Sequence, residues 1–79
     1  MKQKKYTDKY GNVYYKVTFQ AKEAQYFGYE DPEATFTATV EEVGADGYCQ
    51  VTDIDGKKAV SAYFCTPKIA VKHCWIIPR

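Results

Sequence analysis

The sequence predicts an all-β domain: a small antiparallel sheet of five or six strands, rolled or closed into a barrel, with or without one short helix. Three observations carry this expectation. Residues 34–41 alternate Ala34, Phe36, Ala38 and Val40 with Thr35, Thr37, Thr39 and Glu41, the pattern of an extended chain with one buried face. Asp55-Gly56, lying between two strand-like runs, is the pair that a two-residue type I′ hairpin turn favours. Residues 13–21 repeat the alternation over a longer stretch, setting Val13, Tyr15, Val17, Phe19 and Ala21 against Tyr14, Lys16, Thr18 and Gln20.

Taken in order, the chain starts with a hairpin about Gly11-Asn12 that joins a strand over residues 6–9 to the strand over 13–21. Residues 22–29, KEAQYFGY, form one helical turn or a wide loop, ended by Gly28 and by Asp31-Pro32, since proline restricts the residue before it. The three threonines of residues 34–41 favour strand over helix, and Gly44-Ala45-Asp46-Gly47 supplies the positive φ that a reversal needs. Counting outward from Asp55-Gly56 sets Ile54 against Lys57, Asp53 against Lys58, Val51 against Val60, Cys49 against Ala62 and Tyr48 against Tyr63. After a break at Thr66-Pro67, residues 69–77 read as a last strand, with Ile69, Val71, His73, Trp75 and Ile77 on one side. Closing such a sheet hides its edges, so an SH3-like or OB-like barrel is the first architecture to expect. A curved open sheet carrying one short helix is the alternative. The central run resembles the strand-turn-strand rhythm of small RNA-binding barrels, a likeness of architecture alone.

A chain of 79 residues makes one domain, residues 1–79, and an aromatic content of 16% suits a compact β core. The basic start MKQKKYTDKYGN lacks the apolar run of a leader, and no apolar stretch is long enough to span a bilayer. Three cysteines, odd in number and widely spaced, argue against a disulfide framework and for a reducing, cytoplasmic home. Cys49 and Cys65 fall on opposite faces of the expected register, so they are not expected to bridge.

Catalytic chemistry finds little footing. His73 is the sole histidine, which excludes a two-histidine site within one chain. Cys74 adjoins it but points to the other face of a strand, and Cys65 reaches it only if the last two strands pair favourably. Cys65, His73 and Cys74 lack the short spacings of structural zinc, and Asp53-Ile54-Asp55-Gly56 lacks the remaining ligands of an EF-hand. Neither a phosphate loop nor a nucleophile elbow is present. The expectation is a non-catalytic binding protein with no cofactor and no metal.

Charge order is the most informative functional feature. Residues 1–22 carry six Lys and one Asp, residues 23–55 carry nine acidic side chains and no basic one, and residues 56–79 carry four Lys and one Arg with no acid. The net charge of +1 therefore hides a polarised chain, and neighbouring first and last strands would gather one basic side and one acidic side. The acidic and aromatic set Glu23, Tyr26, Phe27, Tyr29, Glu30, Asp31, Glu33, Glu41 and Glu42 suits docking onto a protein partner with a basic surface. In size and composition this resembles the small stand-alone inhibitors that phages encode against host nucleases and restriction or CRISPR systems. That resemblance implies an inhibitor of a nucleic-acid-binding or defence protein. The alternative uses Lys2, Lys4, Lys5, Tyr6, Lys9, Tyr10, Tyr14 and Lys16 to bind single-stranded nucleic acid, lysines neutralising phosphates and tyrosines stacking on bases. Beside both stands the plain alternative that charge runs are solvated faces and tyrosines are cross-strand packing.

Overall fold

The structure, a computed structural model, describes residues 1–27, 30–44 and 46–78. Six strands, β1 (Lys2–Thr7), β2 (Val13–Gln20), β3 (Thr35–Val43), β4 (Tyr48–Ile54), β5 (Lys57–Val60) and β6 (Trp75–Ile76), pair antiparallel in sequence order. One short helix, α1 (Pro67–Lys72), lies between β5 and β6, and a 3-10 turn, Ala21–Glu23, follows β2. The fold is therefore all-β, as expected, with six strands and one helix among the described residues. The sheet is open rather than closed as an SH3-like or OB-like barrel, because its strand order is linear and puts β1 and β6 at opposite edges. The lysines of the two ends are consequently not gathered on one side; they flank the acidic middle of the chain from both edges.

Alternation becomes packing through the register. Val17 lies opposite Ala38, Phe19 opposite Phe36, and Val40 opposite Val51, so their side chains share one face. That face is the core: Val17, Ala38, Val40, Val51 and Ile54 are fully buried, and α1 adds Ala70, Val71 and the adjoining Cys74. The Phe19 ring packs against Phe36 at 5.6 Å and edge-on against Phe27 at 5.7 Å. Val51 and Ile54 are three residues apart, a spacing that a regular strand cannot turn to one face. A bulge resolves it, since Thr39 pairs with Asp53 while Val40 pairs with Val51, leaving Thr52 as the extra residue.

The turns follow their local chemistry. Asp55 and Gly56 have φ of 51° and 83°, the positive pair of a type I′ turn, and Ile54–Lys57 and Asp53–Lys58 pair as counted. Further from the tip the expected register fails. Cys49 pairs with Phe64, not Ala62, through backbone bonds of 2.7 and 2.9 Å. The Ser61 hydroxyl accepts the Val51 N–H at 2.9 Å and donates to the Ala62 carbonyl at 2.8 Å. It replaces a ladder carbonyl, so the chain takes up two extra residues and the Val51–Val60, Cys49–Ala62 and Tyr48–Tyr63 pairings do not form. The first hairpin also differs: its first strand is residues 2–7 rather than 6–9. Asp8 anchors the turn, its carboxylate accepting from the Tyr10 and Asn12 backbone and the Asn12 side chain.

The largest correction concerns residues 69–77, expected as a strand. Thr66 accepts the Ile69 N–H at 3.3 Å as an N-cap, and Pro67 occupies the first turn, where its missing donor costs nothing. Pro67, Ala70, Val71 and Cys74 are all buried. Their spacing is that of a helical stripe, and it overrides the alternation of the isoleucines and valine. Only Trp75 and Ile76 remain extended.

Candidate functional site

Among the described residues, the sheet has one face covered and one bare. Directly opposite residues share a face, so the positions between the buried ones point away from the core. On β1 these are Lys2, Lys4 and Tyr6; on β2, Tyr14, Lys16 and Thr18; on β3, Thr37, Thr39 and Glu41. The helix packs on the other side, with the core cluster, as does Ala24 just after the 3-10 turn.

Within this bare face the register builds a compact group. Tyr6 lies opposite Tyr14, Lys4 opposite Lys16, and Lys2 opposite Thr18. The two tyrosine rings stack with centroids 5.2 Å apart and planes 10° from parallel, and the Lys4 ammonium lies 5.6 Å from the Tyr6 centroid. The Lys16 ammonium donates to Thr39 Oγ1 at 2.6 Å. Among the described residues the one ion pair joins the Met1 amine to Glu23, and none reaches Lys2, Lys4 or Lys16. Two lysines directly opposed across strands repel and weaken the sheet. An anion lying across them removes that repulsion.

Five of the eight lysine and tyrosine positions expected from sequence thus meet on one surface. The other three do not. Lys5 alternates onto the covered side, opposite Tyr15, while Lys9 and Tyr10 sit in the β1–β2 turn with the Lys9 ammonium 5.1 Å from the Tyr10 ring. Thr18, Thr37 and Thr39 share this face beyond the expected set, and their alternation with Val17, Phe36 and Ala38 is the signal that marks them.

The acidic and aromatic set is dispersed. Glu23 is tied up by the Gln20 N–H and the Met1 amine, each at 2.8 Å, and the backbone donor first, then the amine, hold its carboxyl below the usual range. Glu41 stands on the bare face opposite Tyr14. Glu42 accepts the Tyr15 hydroxyl at 3.2 Å on the covered side; loss of water around that ring, with Glu42 beside it, raises the Tyr15 pKa. Tyr26 turns edge-on to Trp75 at 5.8 Å, and Tyr29 lies outside the described residues. Phe27, Glu30 and Asp31 do come together, lining a hollow of about 310 Å³ with Ala21, Ala34 and Phe36. Glu33 follows in the same loop, exposed, where Asp31 accepts its N–H at 3.1 Å.

The remaining chemistry is sparse. Cys49, Cys65 and Cys74 are free thiols; Cys49 and Cys74 are buried, and burial pushes the Cys74 thiol up to about 11. His73 stacks on Phe64 at 5.3 Å and shares a hydrogen bond of 2.8 Å with the Gln25 amide oxygen. Among the described residues no group of His, Cys, Asp and Glu could hold a metal, and no helix is long and apolar enough to cross a membrane. No family model, characterised protein or solved structure matches this chain.

Proposed function

We propose that this chain is a non-catalytic binding protein that takes single-stranded nucleic acid across the bare face of β1, β2 and β3. The observation that carries the proposal is the Lys4–Lys16 opposition, unpaired with any carboxylate among the described residues, beside the stacked Tyr6–Tyr14 pair on a face over which no described element packs. Lysines there neutralise successive phosphates, and the tyrosines offer π-surface that accepts any base. The three free thiols favour a reducing, cytoplasmic setting. Fluorescence anisotropy with a labelled oligothymidylate tests the proposal. Binding is expected at low salt, with log K falling against log[salt] at a slope near −2, about −0.7 for each of Lys2, Lys4 and Lys16. No binding of any single-stranded probe at low salt refutes it.

A second proposal rests on the hollow beside Phe27. Its apolar lining and the carboxylates of Glu30 and Asp31 fit a lysine or arginine of a basic protein partner, stem against the rings and charge against the acids. In its sharpest form this is an inhibitor, of the phage-encoded kind, that occupies the surface by which a defence protein grips nucleic acid. Replacing Glu30, Asp31 and Glu33 by lysine weakens such a complex; unchanged affinity removes the idea.

A further inference from the structure

We propose that the outer edge of β1 is a docking site for an extended acidic segment of a partner protein, which adds to the sheet as a seventh strand. β1 pairs along all six of its residues with β2 and, at the end of the strand order, has no neighbour on its other side among the described residues. In an antiparallel pair alternate residues turn both backbone groups away from the partner, so half of β1 offers N–H and C=O groups to an incoming strand. Lys2 and Lys4 flank this edge from the bare face and Lys5 from the covered face, and all three are exposed. Lysines on an edge blunt indiscriminate pairing. The same lysines select a strand whose side chains are carboxylates, on either face.

Charge also decides against a second copy of this chain. The antiparallel β1–β1 registers that continue both sheet faces and overlap most of the strand set Lys4 or Lys5 against its own copy. Each is a repulsive opposition at the centre of the new interface. An acidic strand meets none of them.

The inference is separate from nucleic-acid binding because the two use different sides of the same residues. A nucleic acid engages Lys16, one strand in from the edge, whereas an added strand engages Lys5, on the opposite face. The test uses isotope-labelled protein, a short Glu-rich peptide that carries Glu on both strand faces, its Lys-for-Glu counterpart, and a form of the acidic peptide N-methylated at alternate residues. The acidic peptide is expected to bind and to slow hydrogen exchange at the outward amides of β1, while the other two peptides do neither. Lys5→Ala weakens the peptide by about two- to fivefold, the size of an exposed ion pair, and leaves oligothymidylate affinity unchanged. Lys16→Ala does the reverse. Binding without protection of β1 amides, equal binding of the lysine peptide, no binding, or concentration-dependent protection of β1 without peptide overturns the inference. None of these outcomes bears on the oligothymidylate result.

Discussion

Lys4→Glu separates stability from binding in one substitution. Lys4 faces Lys16 directly across β1 and β2, with no carboxylate among the described residues paired to either. Reversing its charge replaces a repulsive cross-strand pair with an attractive one, each change being about 0.2–1 kcal/mol. Against this stands the loss of the Lys4 contact with the Tyr6 ring, about 0.5–1 kcal/mol at an exposed site. Lys16 keeps its bond to Thr39 throughout. The balance is a gain of about 0.5 kcal/mol, or about 2–4 °C in Tm for a domain of this size. Binding moves the other way. Each unit of charge beside a phosphate counts for about 1 kcal/mol across ~4 Å of water, so reversing two units weakens oligothymidylate by about tenfold or more at low salt. Urea unfolding and anisotropy in one buffer read both effects. A loss of more than about 1 kcal/mol of stability refutes the claim that this lysine pair is uncompensated. Unchanged affinity refutes its role in binding.

Phe19→Ala removes the ring that joins Phe27 and Phe36 and costs about 3–5 kcal/mol, enough to unfold much of a domain this small; urea unfolding measures it, and a loss under about 1 kcal/mol contradicts the packing described. Cys65 reacts with a thiol reagent promptly at neutral pH, whereas buried Cys49 and Cys74 react only as the chain opens; prompt modification of all three contradicts the burial assigned to them. Glu23 has a folded pKa below its unfolded value near 4.5, so its stabilisation is present above that value and is lost as pH falls through the folded pKa. Glu23→Gln therefore flattens the acid limb of the Tm–pH profile, and a limb identical to the parent's contradicts the capping geometry.

Legibility from sequence followed the range of the forces involved. The strands β2 and β3 and the Asp55-Gly56 tip were readable because alternation and turn chemistry are local. The shift that sets Cys49 against Phe64 was not, since it depends on the Ser61 hydroxyl meeting a backbone N–H ten residues earlier in the chain. For α1 the two periodicities overlap: Ile69, Val71, His73, Trp75 and Ile77 alternate, while Pro67, Ala70, Val71 and Cys74 form a helical stripe. Thr66-Pro67, a break in the strand pattern, is the cap that decides between them. Of the candidate surfaces, the lysine and tyrosine group is partly legible; Lys5 departs from it because β1 begins at Lys2 rather than Tyr6, and alternation then turns it to the covered face. The acidic set appeared coherent only as a segment. β3 carries Glu41 and Glu42 to opposite faces and well away from Glu33, at its far end.

The central claim is that the bare face of β1–β3 is where a ligand lies, and amide shift mapping of the labelled protein with oligothymidylate at low salt tests it directly. The account predicts shifts concentrated at Lys2, Lys4, Tyr6, Tyr14, Lys16 and Thr18, with Phe27, Glu30 and Asp31 unmoved. Shifts centred on the hollow at Phe27, or none with the probe in saturating excess, contradict it.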